Sequence, residues 1–290
     1  MKSLIGFTKV SKKFGKKRIR NLDNIDKEKE SYLELSEKII DKSDIILEVL
    51  DSRFIKETRN KTIERIIKEK NKRIIYVLNK VDLVNDKEKL YRQVSFLLPR
   101  VFVSCKNYQG IKELRQKIKN ISKKIIAEKT NLSKVTVGVI GYPNTGKSSL
   151  INILTGRNSL GVSPKAGFTK GIIKLNLTKD IVLLDSPGII PDEKYSNMDN
   201  DLMLEQAKVG ARDYTNLKNP DLFVLKIMKE YPKLLEKYYN LNIKEVNNDP
   251  ENLINSLGRK KGFLRKGGSI DEDKTARLII KDWQEGKIKL

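Results

Sequence analysis

The chain has 290 residues, enough to bury a sizeable core and, by length, to form one large domain with a smaller companion. Its 60 Lys and Arg against 37 Asp and Glu leave a formal net charge of +23, an excess that ion-pair networks do not need and that points to a polyanionic partner, nucleic acid first. The single cysteine, Cys105, excludes an internal disulfide, the absence of histidine excludes a Cys/His zinc module, and no apolar run approaches the ~20 residues that span a bilayer, so no membrane partner is expected.

Residues 1–20 carry eight Lys or Arg and no acid. Such a run repels itself and is expected to be an arm that orders on binding. No apolar core follows it, so it does not read as a secretory signal, and the cytoplasm is the expected compartment. Ser31 to Asp41 then places Leu33, Leu35, Ile39 and Ile40 near one helical face, and Asp44 to Asp51 reads as a short buried strand. The pattern predicts a helix near Asn60 to Lys70, a strand Arg73 to Leu78, a helix near Asp86 to Leu98, a strand Val101 to Ser104 and a helix from Ile111 to about Glu128. A strand Val135 to Ile140, a helix Lys147 to Leu154 and strands Ile172 to Leu177 and Ile181 to Leu184 complete the series. Strands alternating largely with helices predict a mainly parallel α/β sheet covered on both faces.

After Pro191 the strand pattern stops, and helices are predicted near Asp199 to Arg212, Pro220 to Tyr239, Pro250 to Leu257 and Asp271 to Gln284. The expected organisation is a basic arm over 1–30, an α/β domain over 31–192 and a helical domain over 193–290. Gly258 to Gly268 reads as a glycine-bearing loop with five Lys or Arg and no acid. Its Arg259, Lys260, Lys261, Arg265 and Lys266, with Lys12, Lys13, Lys16, Lys17 and Arg18 of the arm, are the candidate RNA contacts.

Gly141-Tyr142-Pro143-Asn144-Thr145-Gly146-Lys147-Ser148 fits the phosphate-loop pattern, with a β-branched strand leading in and an apolar helical run leading out. Gly146 lets the backbone turn so that successive N–H groups face a β-phosphate, and the positive end of the next helix points to the same place. Pro143, Asn144, Thr145, Gly146, Lys147, Ser148 and Ser149 are the candidate phosphate contacts. Lys147 would bridge the β- and γ-phosphates, and the Ser148 hydroxyl would ligate Mg²⁺.

Asp185-Ser186-Pro187-Gly188 follows an apolar strand some forty residues later. Asp185 would hold Mg²⁺ through its water shell, and the Gly188 N–H would sense the γ-phosphate. Asn79-Lys80-Val81-Asp82 supplies base specificity. A guanine edge presents adjacent N–H donors that the Asp82 carboxylate can accept together, Asn79 would bond the opposite edge and the loop, and the Lys80 stem would lie along the base. Adenine lacks that donor pair, so GTP and GDP are the expected ligands. Ser104-Cys105-Lys106 would complete the base pocket through backbone N–H groups, with Cys105 a small filler rather than a reactive thiol.

All four segments fall at the C-terminal ends of separate predicted strands, where open α/β sheets bind ligands. Their order is unusual, because the Asn79 to Asp82 segment precedes the phosphate loop instead of following it. The fold expected is therefore an α/β P-loop GTPase sheet in circularly permuted order, with a C-terminal all-helical domain.

With Asp51-Ser52-Arg53 and Thr58-Arg59-Asn60 after the first strand, this order resembles the circularly permuted YlqF/YawG family of ribosome-assembly GTPases over nearly the whole chain. Leu264 to Gly268 followed by Asp273 to Gly286 looks like that family's RNA-binding helices. The resemblance implies GTP hydrolysis coupled to assembly of the large ribosomal subunit or its precursor through rRNA; off the ribosome a monomer is expected. It implies that Thr169 completes the Mg²⁺ shell in the GTP form and that Asn144 is associated with a potassium ion. Lys147, Thr169 and Gly188 are thus the candidate catalytic set. Where many GTPases place a water-orienting glutamine, this chain has Ile189 and Ile190, which cannot orient water. Slow intrinsic turnover, raised by potassium and by the ribosome, is expected; the alternative is a nucleotide-gated RNA-binding module with negligible hydrolysis.

Overall fold

Ile45–Asp51 is almost wholly apolar and forms β1, whose seven residues are all buried. The structure, a computed structural model, describes residues 34–129, 132–156, 173–185 and 199–290. The basic arm with Lys12, Lys13, Lys16, Lys17 and Arg18, together with Thr169, Gly188, Ile189 and Ile190, lies outside the described residues. The other strands are β2 (Arg73–Asn79), β3 (Arg100–Phe102), β4 (Val135–Gly141), β5 (Ile173–Thr178) and β6 (Ile181–Asp185). They make one sheet in the order β3-β2-β1-β4-β6-β5. All pairs are parallel except β5 with β6, which are consecutive and joined by a short turn.

Side chains alternate across β1 as the pleat requires. Ile46 faces α1 (residues 34–42) and α3 (Lys61–Glu69), where Ile39, Ile40, Ile63 and Ile67 cover it. Leu47 and Val49 face the other way, against Leu114 and Ile118 of α5 (Ile111–Glu128) and Leu150 and Leu154 of α6 (Lys147–Thr155). One buried acid interrupts the apolar face. Glu48 Oε1 accepts from the Asn60 backbone N–H at 3.2 Å, and burial together with the nearby Glu64 carboxylate pushes its acid up to about 8. Glu64 is itself gripped by the guanidinium of Arg59.

α2 is Ile55–Thr58 and α4 is Lys87–Gln93. The predicted continuation of α4 to Leu98 does not form. Pro99 disfavours helical backbone at Leu98, and the chain turns earlier so that Val94 and Leu97 join Leu78 and Leu90 in a satellite core.

The last third is helical: α7 (Asn200–Lys208), α8 (Pro220–Glu230), α9 (Leu234–Tyr239), α10 (Ile243–Val246), α11 (Pro250–Lys261) and α12 (Glu272–Gln284). Three expectations are corrected here. α7 stops at Lys208 rather than Arg212, because Gly210 turns the chain at φ +79°. The single helix predicted from Pro220 to Tyr239 is two, broken where Pro232 offers no N–H and Lys233 adopts φ +63°. α11 runs through Gly258 to Lys261, so Arg259, Lys260 and Lys261 belong to a helix end and not to a loop. Gly258 serves close packing: a Cβ there would lie 2.5 Å from Ile270 Cγ2.

These helices build one core cluster, and it takes in two residues of the α/β part, Phe54 and Tyr142. Trp283, 1 % exposed, packs with Phe223 and Tyr231, and its ring also meets Phe54 of the α/β part at 5.9 Å between centroids. Tyr142 of the phosphate loop joins the same cluster. Lys208, nearly buried, adds a polar tie, since its ammonium reaches Glu205 and Glu230 at 3.0 Å and Glu57 of α2 at 3.6 Å. No helix among the described residues is long and apolar enough to cross a membrane.

Candidate functional site

β4 delivers the chain into the loop that α6 leaves, and the loop's shape comes from two residues with positive φ, Asn144 at +57° and Gly146 at +96°. Only glycine fits at 146, because a Cβ would lie 2.3 Å from Asn79 Nδ2. Lys147 starts α6 and is buried; its ammonium donates to the carbonyls of Gly141 at 3.1 Å and Tyr142 at 2.9 Å. Burial pushes that ammonium down to about 8, against the opposing pull of Asp185. Anionic phosphates are ligands that would offset that burial and favour the charged form.

Ser148 and Asp185 come together at this end. Asp185 closes β6, in register with Val139 of β4, and the Ser148 hydroxyl donates to Asp185 Oδ2 at 3.2 Å. A hydroxyl and a carboxylate at that spacing form the hard-oxygen set that suits Mg²⁺. Pro143 and Thr145 are buried, Thr145 Oγ1 donates to the Tyr142 carbonyl at 3.0 Å, and Ser149 is half-buried on α6.

Asn79, at the end of β2, joins the base side to the phosphate side. Its Nδ2 donates to the Thr145 carbonyl at 2.7 Å, and its Oδ1 accepts from the Cys105 N–H at 3.3 Å. Three motifs far apart in sequence thus meet on one buried amide. Lys80 follows with φ +62°, and Asp82 stands half-buried in a 3₁₀ turn over Val81–Leu83. Ser104 is buried and its hydroxyl accepts from the Asn107 N–H at 3.1 Å, while Lys106 is exposed. Burial pushes the Cys105 thiol up to about 12, so it stays protonated and does not act as a nucleophile.

Two contacts were not anticipated from the sequence, where Asp51-Ser52-Arg53 served only to mark the resemblance and Asn144 only as a phosphate and potassium candidate. Asp51 is fully buried between two cations: Arg53 bonds both its oxygens, at 3.0 and 2.8 Å, and the Lys80 ammonium lies 2.9 Å away. Burial alone would raise the Asp51 carboxyl, but Arg53 and then Lys80 outweigh it and hold the acid well below the usual carboxylate range. The signal was available, since Asp51-Ser52-Arg53 sits at the C-terminal end of a strand beside the one that carries Asn79. The other feature gave no local signal: Asn144 Nδ2 donates to the carbonyl of Gly210, beyond α7, at 2.5 Å.

Of the basic candidates in the helical part, Arg259, Lys260 and Lys261 at the end of α11 and Arg265 and Lys266 in the turn after it are all exposed. The ammonium of Lys260 donates to the carbonyls of Tyr239 and Asn240 at 2.8 and 2.9 Å, closing the end of α9. Arg265 lies 3.7 Å from Asp271.

Residues 136–255 match the family described as 50S ribosome-binding GTPase. An uncharacterized GTP-binding protein of Methanocaldococcus jannaschii is 39% identical over 256 residues, covering 87% of this chain and 64% of the relative. GTPase grn1 of Schizosaccharomyces pombe is 31% identical over 295 residues, covering 91% of this chain and 62% of its own. Nucleolar GTP-binding protein 2 of Pneumocystis carinii is 35% identical over 258 residues, covering 87% and 51%. The chain thus spans between 51% and 64% of the length of these relatives. In fold, the GNP-bound YlqF from T. maritima superimposes with a TM-score of 0.58 at 22% identity, over 87% of this chain and 92% of the other. A GDP-bound TM YlqF gives 0.55 at the same 22%, over 85% and 92%. With the phosphate loop following the Asn79 to Asp82 loop in sequence and joined to it through Asn79, the nucleotide-binding part of this chain has a P-loop GTPase sheet in circularly permuted order, the fold of the YlqF structures.

Proposed function

We propose that this chain binds GTP with Mg²⁺, hydrolyses it to GDP and phosphate, and uses the cycle to bind and leave a precursor of the large ribosomal subunit. The observation that carries the reading is the Asn79 junction, which ties a guanine-type loop to a phosphate loop whose lysine is buried and whose serine lies against an aspartate. Asp82 would accept the N1 and 2-amino donors of guanine, and loop N–H groups from Asn144 to Ser149 would face the phosphates. Lys147 would leave the Gly141 and Tyr142 carbonyls for the β- and γ-phosphates. Ser148, Asp185 and Thr169 would hold Mg²⁺, which when bound neutralises charge developing on the phosphates. Asn144 would serve a potassium ion, and the Gly188 N–H would read the γ-phosphate.

The helical part, with the arm, would supply the RNA surface through Lys12, Lys13, Lys16, Lys17, Arg18, Arg259, Lys260, Lys261, Arg265 and Lys266. Supporting this are the net charge of +23 and the exposure of the cations from Arg259 to Lys266. In this permuted order the Gly188 segment leads into the helices, so loss of the γ-phosphate would change their affinity for RNA. The base assignment is tested by Asp82→Asn. That variant should lose GTP affinity and gain xanthosine triphosphate, whose 2-oxo group an amide can donate to; unchanged GTP preference would remove the guanine reading.

A second reading, a nucleotide-gated RNA-binding module in which hydrolysis is incidental, is favoured by Ile189 and Ile190, neither of which can orient water. Turnover measured with and without ribosomal subunits separates the two.

A further inference from the structure

The turn that carries Asp82 is held from outside its own domain. Leu290 pairs with it like a strand residue: its N–H donates to the Leu83 carbonyl at 3.0 Å, and its carbonyl accepts from the Asn85 N–H at 2.6 Å. Just after α12, Gly286 adopts φ +69° and presses so closely on Leu83 that a Cβ would lie 2.5 Å from Leu83 Cδ1. On the other side of the turn, Lys80 is bonded to Asp51, Asp51 to Arg53, and Arg53 Nη1 donates to the Trp283 carbonyl at 3.3 Å. The segment doing the holding is itself fixed. Ile288 and Trp283 are 1 % exposed within the helical cluster, and Lys287 is bonded to Asp282, whose carboxylate also accepts from the Tyr239 hydroxyl at 3.0 Å.

We infer that α12 and residues 286–290 act as a clamp that sets guanine specificity, with Gly286, Leu290 and Arg53 as positioning residues for Asp82. A carboxylate must lie in the plane of the base to accept two donors at once, and a turn shifted by a few tenths of an ångström satisfies one donor and misses the other. Fixing Leu83 and Asn85 by backbone bonds, and Lys80 through the Asp51–Arg53 chain, removes that freedom before the base arrives. By linkage, anything that displaces α12 weakens guanine discrimination, and guanine in the pocket steadies α12 in return. This connection runs through the base, separately from any route through the γ-phosphate. It rests on the assignment of Asp82 to guanine.

The test compares GDP with inosine diphosphate, which lacks only the 2-amino donor, by calorimetric titration in Mg²⁺ buffer. The variants are Gly286→Ala, Leu290→Pro and Asp82→Asn. One charge-assisted hydrogen bond gives the natural chain a GDP preference of roughly tenfold or more. In Gly286→Ala and Leu290→Pro the preference falls at least about threefold by loss of GDP affinity, while inosine diphosphate binding stays within about twofold, the fold-change expected when one of two hydrogen bonds is misaligned. Equal weakening of both nucleotides would mean general loosening and would overturn the clamp, as would an unchanged ratio in both variants while Asp82→Asn abolishes it. A preference that survives Asp82→Asn overturns the guanine assignment itself and the clamp with it. Leu290→Pro removes the N–H bonded to Leu83 and a half-buried side chain beyond α12 while leaving the helices themselves unchanged, so it carries the test if Gly286→Ala does not fold.

Discussion

The side-chain amide of Asn144 donates to the backbone carbonyl of Gly210 at 2.5 Å, joining the phosphate loop to the turn that ends α7. A residue of the loop between β4 and α6 therefore has its side chain on the helical part. Asn144→Ala removes the donor and leaves a partly buried carbonyl without it, at a cost of about 1 kcal/mol. For a chain of this size that corresponds to a melting temperature lower by roughly 2–4 °C. Hydrogen exchange at Val209 to Arg212 should quicken in the variant, and an unchanged exchange pattern would show that the contact holds nothing in place.

The shared core around Trp283 predicts one cooperative unfolding unit rather than two. Trp283→Ala should cost ~3–5 kcal/mol through lost burial and cavity formation, with a single calorimetric transition moving to lower temperature as a whole. Trp283→Phe keeps most of the packing and loses the indole N–H bond to the Lys208 carbonyl, 2.8 Å long, so it should be much milder. Two separate transitions in the natural chain would contradict the common core.

Asp51 is the counter-charge for both Arg53 and Lys80, and all three are largely withdrawn from water. Asp51→Asn keeps the shape and removes the charge, leaving two cations facing each other. Breaking a buried pair in this way costs ~3–5 kcal/mol, readable as a lower urea midpoint. An unchanged midpoint would mean that water screens the group.

Glu48 gives a pH signature. It faces Asn60, Glu64 and Arg59 from the helical side and Tyr76 from the neighbouring strand, and burial with the adjacent Glu64 raises its acid from 4.5 to about 8. The folded protein therefore binds a proton at Glu48 that the unfolded chain has lost between these values. Its contribution is complete below pH 4.5 and fades as pH rises through about 8, so stability falls with rising pH across that window. Glu48→Gln retains the oxygen that accepts from Asn60, and should raise the melting temperature at pH 8 while changing little at pH 5. Equal effects at both pH values would contradict the assignment.

The α/β half was legible because buried parallel strands write themselves as short apolar runs, and each of Asn79, Ser104, Gly141 and Asp185 sits where such a run ends. The helical half was read less well. Periodicity continued across Pro232 although the helix could not, and Gly258 read as a loop because its reason, Ile270 packed against it, lies in the segment before α12. Within the site, residue types and spacing announced Lys147, Ser148 and Asp82, since their chemistry is local. The contacts of Asn144 with Gly210, Arg53 with Trp283 and Leu290 with Leu83 link positions 66, 230 and 207 residues apart, and no local pattern encodes them.

The most direct test of the account is GTP turnover by the purified chain in potassium and in sodium buffer, each with and without large ribosomal subunits, beside the Lys147→Ala variant. The account predicts slow turnover alone, faster in potassium, stimulated further by the subunits and abolished by Lys147→Ala. Tight GTP binding with no turnover under any of these conditions would contradict it and leave a nucleotide-gated binding module in its place.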